Sequence, residues 1–360
     1  MVNKMKKIGT PIHELPPDKG NPRNSEGAFL RLADGRLMFA YSRYHGDSWS
    51  DFAGCDIAAI FYDGKSWSEP KILFSATEFD TKNIMSVSLL RLAENDIALF
   101  FLIRDPKDGK SDIRAHISHS LDEGTTWSHP VCCIADPGYN VTNNDRVIQL
   151  KNGRLLIPCS LHKNYASDQK FNSRGSVRFV CSDDLGETWR KLGGIYDSES
   201  RFDEAGYQEP GVIELEDGRL FCWSRTDMGR QYEMLSSDGG ETWTSPKPSI
   251  FTGPCSPLSM KRLPDGRLFS VYNPIPNYNT RTCSKAGWGR MPLVGAFVNQ
   301  DVTKIEQTFL IEDDAEAGYC YCAIYPEADR MFLAYCCGDA RDESCLRRLR
   351  LTEIFYGELN

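Results

Sequence analysis

Nowhere does the 360-residue chain approach the roughly 18 consecutive apolar residues that a membrane-spanning helix needs, so a membrane protein of that kind is excluded. The lysines between Met1 and Pro22 are not followed by an apolar segment, so no secretory leader is expected and a cytoplasmic location is. No run of clustered lysine and arginine relieves the formal charge of −8, and without one there is no sequence-independent grip on nucleic acid. Histidines number only six, with no His-x-x-x-His spacing for a metal. Neither the Gly-x-Ser-x-Gly turn of serine hydrolases nor a Gly-x-x-x-x-Gly-Lys phosphate loop occurs. What is plentiful is turn chemistry, with 29 glycines and 19 prolines, and cysteine. The thirteen cysteines are odd in number and irregularly spaced, and include the neighbours Cys132–Cys133 and Cys336–Cys337. In a long chain without a leader they read as free thiols in a reducing compartment. Cys320 and Cys322 are separated by one residue, closer than zinc thiolate pairs usually stand, so no metal and no cofactor are expected.

A short phrase recurs through the chain: a leucine, two or three polar residues, then Gly-Arg-Leu. It stands at Leu32–Leu37, Leu150–Leu155, Leu215–Leu220 and Leu263–Leu268, with degenerate copies at Leu92–Ile97 and Tyr325–Met331. The glycine position falls at 35, 95, 153, 218, 266 and 329, so the repeat is about sixty residues. Asp-Gly and Asn-Gly supply the positive φ of a tight hairpin turn, and apolar runs flank each copy. A second phrase, Ser-x-Asp-x-Gly-x-Thr-Trp, follows at Ser120–Trp127, Ser182–Trp189 and Ser236–Trp243, with a shortened form at Tyr62–Trp67. In such a turn the aspartate binds backbone N–H groups, glycine takes the positive φ and tryptophan packs beneath. Six units of two hairpins each predict an all-β, six-bladed β-propeller of four-stranded antiparallel blades, whose closed ring hides its sheet edges. The units fill residues 1–360 with no remainder for a second domain.

These turns resemble the Asp boxes (BNR repeats) of the sialidase (neuraminidase) superfamily, a six-bladed propeller family. The boxes mark the fold and not the activity, because function lives in the site. The segment Gln208-Glu209-Pro-Gly through Trp223-Ser-Arg225 is similar to the sialidase stretch that carries a tyrosine-activating glutamate and, sixteen residues on, a carboxylate-gripping arginine. The resemblance implies those roles for Glu209 and Arg225. Gly289-Arg290-Met-Pro is similar to the entry bearing another such arginine, and Ala317-Gly-Tyr319-Cys-Tyr321 to the segment carrying the nucleophilic tyrosine. Tyr319 is expected there, with Tyr321, read as pointing to the same face, as the competing candidate. In the loop Arg43 to Ile57, Asp51 fits the acid/base aspartate and Asp47 is second.

One departure stands at the front. Where sialidases begin blade one with Arg-Ile-Pro, this chain reads Arg23-Asn-Ser25-Glu26, so Arg23 with help from Arg43, or no arginine at all with Glu26 in its space, completes the set. Trp49, Phe52 and Trp288 are candidates for an apolar wall. The resemblance implies retaining hydrolysis of a terminal sialic acid or related 2-keto acidic sugar, with a sialoside or other acidic glycan as partner. Two convergent arginines or more suit a carboxylate, and the charge they hold would repel a carboxylate nucleophile, which rationalises tyrosine. Two alternatives stay open: a propeller glycosidase for a different sugar, charged or uncharged, and a carbohydrate-binding propeller without catalysis.

Overall fold

The computed structural model describes residues 5–105, 112–162, 173–278 and 281–360. Its strands fall into six antiparallel blades arranged in a ring. Blade 1 runs Asn24–Arg31, Leu37–Tyr44, Cys55–Tyr62 and Lys71–Phe74; blade 4 runs Gln208–Glu214, Leu220–Arg225, Arg230–Ser236 and Lys247–Thr252. Blade 5 runs Ser259–Arg262, Leu268–Tyr272, Leu293–Val298 and Ile305–Glu312. Blade 2 (Ile84–Ala93, Asp96–Asp105, Asp112–Ser120, Val131–Cys132) and blade 3 (Ile148–Gln149, Leu155–His162, Gly175–Ser182, Arg190–Tyr196) are fused into one sheet. The join is the short strand Tyr139–Val141, parallel to Asp112–Ser120 and antiparallel to Leu155–His162. Blade 6 takes Cys320–Pro326, Arg330–Cys336 and Leu349–Phe355 from the C-terminal part and Thr10–Leu15 from the N-terminal part. This pairing of the two chain ends closes the ring. The sixty-residue phrase did not show it, because its hairpin glycines mark the inner turns and not the closing strand.

Both repeated phrases have the predicted geometry. Gly35, Gly153, Gly218 and Gly266 take φ of 87°, 91°, 87° and 87°, which a side chain would strain. In each box the serine hydroxyl accepts from the glycine N–H and the aspartate accepts from the threonine N–H and hydroxyl, as at Asp122, Asp184 and Asp238. The box tryptophans do more than fill space beneath their own turn: each reaches back to the preceding blade. Trp127 lies 6.2 Å from Phe74, Trp189 6.2 Å from Phe100, and Trp243 stacks at 4.2 Å on Phe179. Trp67 of blade 1 lies 5.7 Å from His13 on the closing strand.

Six buried clusters fill the gaps between neighbouring blades, and this is where the ring's cohesion resides. Trp243→Ala, which removes a buried indole stacked across the gap between blades 3 and 4, is expected to cost about 3–5 kcal/mol in a denaturant titration. Across the axis, Asn144 Nδ2 donates to the carbonyls of Gly27 and Tyr321, and Arg146 donates to that of Leu258, tying blades 1, 5 and 6 together. No described helix is long and apolar enough to cross a membrane. All thirteen cysteines are free thiols, as the spacing predicts, and no described group of three or more His, Cys, Asp or Glu side chains is placed to hold a metal.

Candidate active site

Four of the six innermost strands carry the same irregularity. Between Ser25 and Ala28, Met85 and Ser88, Gln208 and Gly211, and Cys320 and Ala323, the inner strand has one residue more than its partner. Each bulge holds one residue at positive φ: Glu26 at 56°, Ser86 at 61°, Glu209 at 46° and Tyr321 at 57°. Such a conformation costs about 1–3 kcal/mol at a non-glycine residue and persists only where the surroundings enforce it. A bulge re-aims a side chain and breaks the alternation of faces. All four residues line one cavity of about 240 Å³ at an end of the ring. Gly27 and Gly211 make room for two of the bulges, since a Cβ on either would lie 2.3 Å from a ring atom of Phe39 or Trp223.

That shared bulge corrects the tyrosine expectation. Alternation would put residues 319 and 321 on one face, but the extra residue sends them apart. Tyr319 is 2% exposed in the core between blades 5 and 6, with its ring 6.2 Å from Tyr335, and lines no part of the cavity. Tyr321 lies in the cavity, its hydroxyl donating to Glu209 Oε1 at 3.0 Å. Burial, with the Glu209 carboxylate beside it, holds the Tyr321 phenol well above its ordinary pKa, against the pull of Arg225 and Arg290. In the free pocket the phenol is protonated, with an acceptor already in place.

Three arginines converge on this end of the ring. Arg225 Nη1 donates to Glu209 Oε1 at 2.7 Å and its Nε to Cys255 Sγ at 3.1 Å. Arg290, 3% exposed, donates to Cys320 Sγ at 3.0 Å and the Cys255 carbonyl at 3.2 Å, with its guanidinium 5.0 Å from the Trp288 ring and 5.5 Å from that of Tyr321. Burial alone would raise the Cys320 thiol, but hydrogen bonds from Cys336, Cys345 and Arg290 outweigh it and hold it well below its ordinary value. The third arginine is Arg23, 1% exposed, which the departure from Arg-Ile-Pro had left in doubt. Its Nη1 meets Asp51 Oδ1 at 2.5 Å and its Nη2 meets Glu26 Oε1 at 2.6 Å.

Asp51 is half in solvent at the rim, its carboxylate 54% exposed, and Arg104 steadies its loop by donating to the Asp51 carbonyl at 3.1 Å. Asp47 is exposed and lines no part of the cavity. Arg43 is also outside it, lying beside Tyr41 on the strand face opposite Ser42 and Tyr44. Of the three aromatic candidates, Trp288 lines the cavity, Phe52 covers the Arg104 guanidinium at 4.3 Å, and Trp49 contributes its carbonyl to Arg23. An apolar wall is made by Met85, Leu102, Ile113, Tyr139 and Val141, and His162 and Gln208 also line the cavity. Apart from Gln208, which heads the blade 4 segment, sequence reading missed these residues, as it did Ser86, Arg104 and Cys255. They sit in segments with no motif and meet only because blades 2, 3 and 4 adjoin.

A propeller of Asp-box blades with a tyrosine–glutamate pair and three arginines at one end is the class that fold and cavity define. The chain belongs to the BNR repeat-like domain family, which matches residues 56–333. No curated protein matches it. Among solved structures it is similar to a protein of unknown function from Dyadobacter fermentans, at 18% identity over 96% of this chain and 99% of that one, with a TM-score of 0.72. The intramolecular trans-sialidase from Ruminococcus gnavus shares 16% identity over 93% and 95% of the two chains, with a TM-score of 0.67. The Hadza microbial sialidase Hz136 shares 16% over 91% of this chain and 65% of its own length, at 0.68. These likenesses establish the sialidase-like fold.

Proposed function

We propose that the protein is a retaining exo-glycosidase of the sialidase type, acting on a terminal sugar with a carboxylate at its anomeric carbon, sialic acid or a related 2-keto acidic sugar. The observation that carries this reading is the Tyr321 hydroxyl held at 3.0 Å on Glu209, in a cavity that Arg225 and Arg290 also line. Arg225 and Arg290 take the substrate carboxylate and so place the anomeric carbon against Tyr321. As the phenol oxygen attacks that carbon, its proton passes to Glu209, which matters because an unperturbed phenol ionises only near pH 10. Asp51 gives its proton to the glycosidic oxygen, and the aglycone leaves as an alcohol. Asp51, now a carboxylate, takes a proton from water as the water oxygen attacks the same carbon. The bond to Tyr321 breaks, the phenol regains its proton from Glu209, and two inversions leave the configuration retained.

Asp51→Asn separates the two halves of this scheme. Turnover of a glycoside with a poor leaving group is expected to fall about 10²–10⁴-fold, while one with a nitrophenyl leaving group keeps its glycosylation step. Equal losses on both substrates would remove Asp51 from the acid role. The proposal as a whole is tested with a fluorogenic α-sialoside: hydrolysis sustains it, and no hydrolysis of that or any other acidic glycoside moves the assignment to another sugar. A second reading, hydrolysis of an uncharged sugar, is favoured by one observation, the Glu26 carboxylate seated on Arg23.

A further inference from the structure

Of the three carboxylates among the residues described as lining the cavity, Glu26, Asp51 and Glu209, Glu26 is the one that the scheme above does not use. It is 4% exposed, enforced at positive φ by its bulge, and fixed at both oxygens: Oε1 accepts from Arg23 Nη2 at 2.6 Å and Oε2 accepts from the Ser86 hydroxyl. The Arg23 guanidinium is accordingly committed elsewhere. Nε serves Ser25 Oγ at 2.9 Å, Nη1 serves Asp51 and the Trp49 carbonyl, and Nη2 serves Glu26. A carboxylate grips an arginine through two parallel N–H bonds, and no such pair is free on Arg23. Arg23 is thus shared between two carboxylates, Glu26 and Asp51, while Glu209 is paired with Arg225.

We propose that Glu26 determines which sugars this pocket accepts: as a carboxylate on Arg23 it fills the place a substrate carboxylate would take, so an acidic sugar is held at full strength only when Glu26 carries a proton. This rests on the acidic-sugar reading given above and goes beyond it, adding one proton to the binding step. A neutral Glu26 keeps its hydrogen bond to Ser86 and frees Arg23 to share the incoming charge.

Groups facing Glu26 come from several elements: Arg23, Tyr44, Asp51 and Cys55 from blade 1 and its loop, Glu209 from blade 4 and Tyr321 from blade 6. Burial pushes the Glu26 carboxyl up to about 7; Arg23 and the Ser86 hydroxyl oppose the rise, and Asp51 and Glu209 add to it. The exchange of proton for carboxylate therefore falls near neutrality. Below that value Glu26 is protonated and the pocket is receptive to an anion; above it, Glu26 is charged and competes.

The test is calorimetric titration of the whole chain with 2,3-didehydro-2-deoxy-N-acetylneuraminic acid and with its methyl ester. From about pH 6 to about pH 8 the native protein's affinity for the acid is expected to fall about tenfold, the consequence of one competing proton. Glu26→Gln, whose amide oxygen still accepts from Arg23 and whose N–H can donate to the Ser86 hydroxyl oxygen, without the charge, is expected to bind the acid with little pH dependence and about tenfold tighter than the native protein at about pH 8. The ester should show neither effect. Ser86→Ala is a second route that leaves Glu26 in place: losing a donor to the carboxylate raises its pKa, so the fall in affinity moves to higher pH. Binding by Glu26→Gln alone also supports the proposal. Equal affinities and equal pH profiles in native and Glu26→Gln proteins overturn it while leaving the acidic-sugar reading intact. Absence of binding by either protein at any pH overturns both.

Discussion

Tyr321→Phe is expected to lower turnover by roughly a thousandfold or more, while Tyr319→Phe leaves it within about twofold. Both substitutions remove one hydroxyl and keep the ring, so they differ only in where that hydroxyl stands. At position 321 it is the group bonded to Glu209 in the cavity; at 319 it belongs to a ring packed between blades. The affinity of Tyr321→Phe for a substrate analogue should be little changed, because Arg225 and Arg290 hold the sugar and neither depends on the phenol for its charge. A loss confined to KM would contradict the nucleophile assignment. Steady-state kinetics on the two variants, with circular dichroism to confirm the fold, decides between them.

Glu209→Gln is expected to lower kcat about 10²–10⁴-fold. Glu209 Oε1 takes hydrogen bonds from both Tyr321 and Arg225. A neutral amide can accept those bonds but cannot receive the phenol proton as attack proceeds. Removing the charge also leaves Arg225 without its ionic partner, in a pair whose side chains are only 14% and 11% exposed. A further loss of about 1–3 kcal/mol in unfolding free energy is therefore expected. The two effects separate by temperature: well below the unfolding transition the variant is folded, and the kcat deficit must persist there. Activity that returns on cooling would make Glu209 a structural partner of Arg225 and nothing more.

The repeats made the ring legible because each blade repeats its turns, and turns are where sequence dictates conformation most strictly. Asp-Gly at residues 34–35, 217–218 and 265–266, and Asn-Gly at 152–153, can do little else than form hairpins. Glu209, Arg225, Arg290 and Asp51 were legible for a different reason, the resemblance of their segments to sialidase stretches, and all four line the cavity. Less legible was which face a side chain takes near a bulge. Nothing local in Gly-Tyr319-Cys-Tyr321 announces that alternation breaks there. The break became visible only beside Ser25-Glu26 and Gln208-Glu209, whose strands slip at the equivalent point. Arg23 was obscured by the same cause, since a strand read without its bulge puts Glu26 in the arginine's place. The apolar wall from Met85 to Val141 had no local signal, because it forms from blades distant in the chain.

The central claim is that Tyr321 bonds covalently to the sugar during turnover. It is tested most directly by treating the protein with a fluorine-deactivated sialosyl fluoride, digesting it, and locating the glycosylated residue by peptide mass spectrometry. The account predicts one sugar per chain, carried on Tyr321, and none on the Tyr321→Phe variant. A sugar on Tyr319 or on the Glu209 carboxylate, or turnover of the reagent with an unmodified protein, would contradict it.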